Sequence, residues 1–298
     1  MLHTPVRPVR LTLDARTYAR DFDRVPFGFD HDLSSLPLLG FDSIRALARA
    51  YEREYFVASG DNSPATEFYS AGLGGRSPLE ALETLGDSNQ RVLLKRPELY
   101  DDRFADLLRS LFEEIVDARG GLRGERVVRL MSSILISSSA AVTPFHFDPE
   151  ITFFFQIEGE KAYHLYEPSV LTEPELERFY SMGIVNIGQV ELAGRDPRAE
   201  HVFNLRAGKG LHQPQNCPHW VGVGASRSIS YAVSFETDAM RARGRTRACN
   251  HYLRGLGLSP TPPGERPALD ARKSAAMQAF IPLRKRLRNT LGGVLRRP

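Results

Sequence analysis

Cysteine is scarce in this 298-residue chain: there are two, Cys217 and Cys249, and they form no C-x-x-C pair. That argues against a disulfide framework and predicts a reducing, cytoplasmic setting. No stretch approaches the roughly 18 apolar residues of a membrane-spanning helix. The opening MLHTPVRPVR has no apolar core behind its charges, so a secretory signal is not expected. Internal repeats and low-complexity blocks are also missing. What is present is ordinary globular material: hydrophobic residues make up 42%, which excludes a disordered chain.

The formal net charge is only +3, but it is unevenly spread. Residues 241–298 carry fourteen Lys and Arg against two acids, Glu265 and Asp270, a net of +12. The first 240 residues are therefore at −9, so an acidic body ends in a basic tail.

Periodicity divides the chain into three regions. Residues 1–126 read as helical and loop-rich. Asp42–Phe56, a short helix opening at Ser77-Pro78, and Asp101–Ala118 with its apolar stripe are the predicted helices. Residues 127–240 change texture to short strands broken by Gly and Pro. VVRLMSSILISSSA is one, and ITFFFQIEGEKAYHLYEP makes two around a turn at Glu158-Gly159-Glu160. Others are predicted near Val185–Leu192, His201–Leu205, Trp220–Val223 and Ser228–Glu236, with a turn at Ala207–Gly210 and a helical insertion before Met182. Many short strands without alternating helices predict a sandwich or jelly roll. Residues 241–298 read as a basic arm, a Pro- and Gly-rich linker over Gly255–Pro267, and a last helical region that Pro282 kinks or divides.

The chemistry is concentrated in Val142-Thr143-Pro144-Phe145-His146-Phe147-Asp148. On an extended chain, residues two apart share a face, so the His146 imidazole and the Asp148 carboxylate can reach one metal. A third ligand, His219 in Gln215-Asn216-Cys217-Pro218-His219-Trp220, completes a two-histidine, one-carboxylate triad of the kind that holds Fe(II) with open positions. Lys161, on the strand after the hairpin, is placed to hold the far carboxylate of a dicarboxylate, with the Thr143 hydroxyl beside it.

The stretch VTPFHFDPEITFFFQIEGEKAYHLYEP resembles the core of the JmjC-type, cupin-fold Fe(II)/2-oxoglutarate oxygenases. Its T-P-x-H-x-D run, F-F-x-Q-I-x-G turn and lysine fifteen residues past His146 are most similar to the branch of the asparaginyl hydroxylase that inhibits hypoxia-inducible factor. GKGLHQPQNCPHW resembles the family's second metal element and assigns His219, not His212, to the distal ligand position. The resemblance covers residues 127–236. It implies a double-stranded β-helix, mainly β with flanking helices, a helical N-terminal region and a C-terminal helical extension. It also implies Fe(II) and 2-oxoglutarate at His146, Asp148 and His219, with Lys161 and Thr143 on the cosubstrate. Three positions depart from the family pattern: Lys209 replaces an acid, Thr152 replaces an asparagine, and Ser234 in Val233-Ser234-Phe235 stands where the family has a cosubstrate-binding asparagine.

The implied reaction is hydroxylation of a protein or peptide side chain, with 2-oxoglutarate decarboxylated to succinate. The alternatives are the same chemistry on a small molecule or natural product, and a non-catalytic cupin-like DNA-binding regulator. Arg227 remains a rival anchor for the dicarboxylate, and Cys217 with His219 leaves a zinc pair open. Phe145, Phe147, Phe153, Phe154 and Phe155 are expected in the core or walling the pocket. The tail has three readings: a solvated basic face, a helix pair forming a homodimer, and, less favoured, a nucleic-acid contact.

Overall fold

The structure is a computed structural model. It describes residues 10–13, 20–60, 63–66, 76–86, 89–182 and 190–294, with side chains to residue 282. Two compact units are distinguished. The first comprises residues 1–170 and 186–236, and the second residues 171–185 and 237–298.

The first unit is built on two antiparallel sheets. The large sheet contains β1 (Leu11–Thr12), β2 (Phe27–His31), β3 (Tyr55–Ala58), β4 (Arg91–Lys95), β5 (Val127–Ser137), β7 (Ile151–Glu158), β10 (Lys209–Gln213) and β12 (Ser228–Thr237). The small sheet contains β6 (Val142–His146), β8 (Lys161–Tyr166), β9 (Glu200–Leu205) and β11 (His219–Val223). Their orders are β1-β2-β10-β7-β12-β5-β4-β3 and β6-β11-β8-β9. Successive strands β5 to β8 alternate between the sheets, which makes a jelly roll, as the sequence predicts.

The facing sides of the sheets enclose Phe154, Tyr163, Leu165, Leu205, Leu211, Cys217, Val221 and Ala232. Alternation sends Phe153 and Phe155 to the opposite side of β7, so these two do not wall the space between the sheets. They pack instead on Phe29, at 5.8 and 5.4 Å between ring centroids. Helix α3 (Asp102–Arg119), capped by the Asp101 carboxylate, covers the same outer side, with Phe112 edge-on to Phe235 at 5.4 Å. β7 is therefore buried on both faces, which fits the run ITFFFQI, apolar except for Thr152 and Gln156.

Three expectations change. The N-terminal region carries its predicted helices, α2 (Pro78–Glu83) and α3 among them, but β1 to β4 also supply half of the large sheet. The Asp42–Phe56 pattern yields a helix only over α1 (Phe41–Ala48), after which Glu54 turns left-handed (φ 62°) and Tyr55 starts β3. Pairing of β3 with β4 outweighs the local helical spacing. Second, Ala207–Gly210 is not only a turn: its last two residues open β10, which lies between β2 and β7. Gly210 is required there, since a Cβ would sit 2.2 Å from the Phe29 ring. Third, no strand forms over Val190–Leu192, and the rest of that predicted strand lies outside the described residues.

The hairpin at 158–160 forms as predicted. Gly159 has φ 71°, and a Cβ would stand 2.2 Å from the Arg227 carbonyl oxygen. This turn delivers Lys161 to the first position of β8.

The second unit joins α4 (Glu173–Met182), α5 (Asp238–Gly255) and α6 (Pro267–Val294). The arginine-rich stretch after Thr237 is helix α5, not an extended arm. The Thr237 hydroxyl caps it by accepting from the Met240 N–H at 3.2 Å. Arg247 and Arg254 pair with Glu173 and Glu177 of α4, each at 2.8 Å. The helix α6 runs unbroken past Pro282. Among the described residues, no helix is long and apolar enough to cross a membrane.

Candidate metal centre

Strand register stacks the site in three levels between the sheets. At the first level His219 pairs with His146 on one side and Leu165 on the other. On the facing wall, Thr152 pairs with both Ser234 and Gln213. The middle level holds Thr143, Val221 and Tyr163 opposite Phe154, Ala232 and Leu211. The deepest holds Lys161, paired with Val223, opposite Gln156 and Ser230. A shift of register between His219 and Val221 brings Thr143 onto the same face as His146.

His146, Asp148 and His219 converge at the first level, each offering a ligand atom within 4.8 Å of the others. The Asp148 Oδ2 lies 4.0 Å from His146 Nε2 and 3.9 Å from His219 Nε2. Both imidazoles are oriented through the other nitrogen: His146 Nδ1 is 2.7 Å from the Pro144 carbonyl oxygen, and His219 Nδ1 is 3.0 Å from that of Cys217. Donation from Nδ1–H to a carbonyl leaves each Nε2 lone pair facing Asp148, the arrangement that suits a metal. The Asn216 N–H donates to the Asp148 backbone oxygen at 2.9 Å, tying the loop before β11 to the carboxylate. Burial, with His146 nearby, pushes the His219 pKa down to about 3, which keeps its imidazole neutral.

Lys161 is 5% exposed and donates to the Ser230 hydroxyl at 2.9 Å. Ser230 in turn donates to Gln156 Oε1 at 2.8 Å. Among the described residues no carboxylate pairs with Lys161, and burial, aided by the Arg91 charge, pushes its pKa down to about 7. Arg227 is committed elsewhere: it holds Glu158 at 2.6 Å and lies over the Phe41 ring at 3.8 Å. Ser234 hydrogen-bonds Thr152, hydroxyl to hydroxyl, at 2.9 Å. Cys217 does not join the cluster. Its buried thiol donates to the Tyr166 carbonyl at 2.8 Å, and burial raises its pKa, so it stays protonated.

Among the described residues, other histidines singled out by the sequence are engaged elsewhere, His201 with Glu167 at 3.5 Å. His164 stacks on Trp220 at 3.6 Å, and His212 lies buried among Phe22, Phe27 and Phe153 on the outer face.

Sequence reasoning missed two residues of the inner wall. Tyr163 stacks on His219 with ring centroids 5.3 Å apart, and its hydroxyl donates to Gln213 Oε1 at 3.3 Å. The alternation of KAYHLY gave a signal for Tyr163, two residues from Lys161 on the same face. Gln213 has none, because the turn reading at Ala207–Gly210 leaves no strand predicted over β10.

The jelly roll is similar in fold to solved structures of the ribosomal oxygenase YcfD. YcfD from Escherichia coli superimposes with a TM-score of 0.57 at 19% identity, over 92% of this chain and 69% of YcfD. A structure of YcfD in complex with cobalt and 2-oxoglutarate gives 0.53 at 19% identity, over 92% and 68%. In sequence, ribosomal oxygenase 2 of Bos taurus is 32% identical over 135 residues, 45% of this chain. This chain spans about a quarter of that relative's length, 25%. No family model matches.

Proposed function

We propose that this protein is an Fe(II)/2-oxoglutarate-dependent hydroxylase that oxidises a C–H bond of a protein or peptide side chain. The carrying observation is the convergence of His146, Asp148 and His219, with Lys161, buried without a carboxylate partner, two register levels below them on the same sheet. The donor set suits iron: two neutral imidazoles and one carboxylate on a single side. Within this reading the three side chains hold the metal. Lys161 binds the distal carboxylate, with the Thr143 hydroxyl on the same face. Ser234 and Thr152 line the wall facing the ligands. Phe154, Leu165 and Val221 keep water out. When bound, iron and 2-oxoglutarate supply the hard chemistry: oxygen converts the 2-oxo acid to succinate and carbon dioxide and leaves a hydroxyl on the substrate carbon.

The engagement of Arg227 with Glu158 supports Lys161 as the anchor. The motif-level likeness to an asparaginyl hydroxylase, and the likeness to proteins named as ribosomal oxygenases, support a protein side chain as substrate, with a ribosomal protein the first to assay. Anaerobic addition of Fe(II) and then 2-oxoglutarate is expected to produce a visible metal-to-ligand charge-transfer band. Its absence at saturating ligand sinks the proposal.

For the tail, homodimerisation is favoured over nucleic-acid binding. Phe280 and Ile281 of α6 are 42% and 43% exposed, and Phe280 packs on Tyr252 of α5. Arg247 and Arg254 are held by acids of the same unit, which leaves a weaker basic field. Replacing Phe280 and Ile281 by Asp is expected to halve the mass seen in sedimentation. A monomeric wild type at high concentration excludes the dimer.

A further inference from the structure

The buried polar atoms that lack a hydrogen-bond partner among the described residues include Gln213 Nε2. Most of the others lie away from the inner wall: His212 Nδ1, for example, sits on the outer face of the large sheet. Gln213 is 1% exposed. It follows Leu211 by two residues on β10, so it shares that residue's inward face. Its Oε1 accepts from the Tyr163 hydroxyl of the opposite sheet, which places the amide between the two walls. That bond leaves the N–H donors as the free end. Register puts Gln213 beside Thr152, at the level of His146 and His219 and across the space from them. A buried donor without an acceptor is costly and rare, and its persistence calls for a ligand.

The inner walls therefore carry two buried donors without an acidic partner at two levels: the Lys161 ammonium at the deepest and the Gln213 amide at the level of His146 and His219. Two such groups on facing walls match the two acidic ends of one dicarboxylate. We propose that the Gln213 amide N–H holds the metal-side carboxylate of the 2-oxo acid from the wall opposite the histidines. The inference rests on the hydroxylase reading. It assigns the donor function at this level to β10, with the Thr152 and Ser234 hydroxyls alongside.

The test uses the full chain under anaerobic conditions, titrated first with Co(II) alone and then with 2-oxoglutarate. Gln213→Glu keeps an acceptor for the Tyr163 hydroxyl but replaces the donor with an anionic oxygen. Gln213→Leu removes both ends. Co(II) affinity, followed by its visible absorption, is expected to stay at the wild-type value in both. The 2-oxoglutarate Kd is expected to rise about tenfold or more in Gln213→Glu and several-fold in Gln213→Leu, the loss of a hydrogen bond to a charged group. Thermal melting of the ligand-free variants checks the fold, and if one fails to fold the other decides. A 2-oxoglutarate Kd that does not move in either variant overturns the assignment. So does a loss confined to Co(II) binding, which would make Gln213 a support for His219 through Tyr163. A wild type that binds neither Co(II) nor 2-oxoglutarate overturns the hydroxylase reading and this inference with it.

Discussion

His146→Ala and Asp148→Ala are each expected to reduce succinate formation to the level of a protein-free control. The three ligand atoms lie within 4.8 Å of one another, and Asp148 is the one anion among them. Without it, two neutral imidazoles would have to hold a dication. Without His146, the site is bidentate. Changes to the outer partners of metal ligands already cost roughly 10- to 100-fold in affinity or activity, so removing a ligand outright exceeds that range. The folded state is not expected to suffer in step: the Asp148 side chain is 30% exposed and is not part of the inter-sheet apolar cluster. Coupled succinate detection, with circular dichroism as the fold control, makes the measurement. Succinate formation retained at half the wild-type rate in Asp148→Ala would remove this carboxylate from the metal.

Lys161→Ala raises the 2-oxoglutarate Kd by roughly 10²- to 10³-fold, the range expected when one partner of a buried charge pair is removed. The pH dependence is as informative as the magnitude. Burial lowers the Lys161 pKa to about 7. Between that value and the ordinary lysine range, the unfolded chain holds a proton that the folded chain lacks. Stability of the ligand-free protein therefore falls as pH drops from the ordinary lysine range toward about 7, and this contribution is flat below it. A carboxylate arriving beside Lys161 favours the charged form and draws the proton back. Binding at pH 8 should consume up to about one proton, and affinity should weaken as pH rises above 7. Calorimetry in buffers of different ionisation enthalpy reads the uptake directly. No uptake at pH 8 in wild type, or the same uptake in Lys161→Ala, would assign the carboxylate to another group. Arg227→Ala is the natural comparison, because its guanidinium is already bound to Glu158.

Much of the site was legible because its chemistry is local. The H-x-D spacing on an extended segment puts His146 and Asp148 on one side whatever the rest of the chain does. The Glu158-Gly159-Glu160 turn announces itself through a glycine that must be left-handed, and it sets where Lys161 begins its strand. The flanking phenylalanines predicted a sheet core, but periodicity could not say that Phe154 faces the site while Phe153 and Phe155 face away. That depends on which side of β7 the small sheet covers.

By itself, then, the sequence determined the His146 and Asp148 pair, the hairpin that carries Lys161 and the strand pattern of a jelly roll, since each depends on residues close together along the chain. Tertiary structure alone decided that four N-terminal strands extend the large sheet, that a glycine-rich segment is a central strand, and that Arg227 is spent on Glu158. It also decided that Tyr163, stacked on His219, reaches across to Gln213 of the other sheet. These are pairings between segments far apart in sequence. Strand register is settled by which side chains two sheets can bury together, and no local pattern encodes that choice.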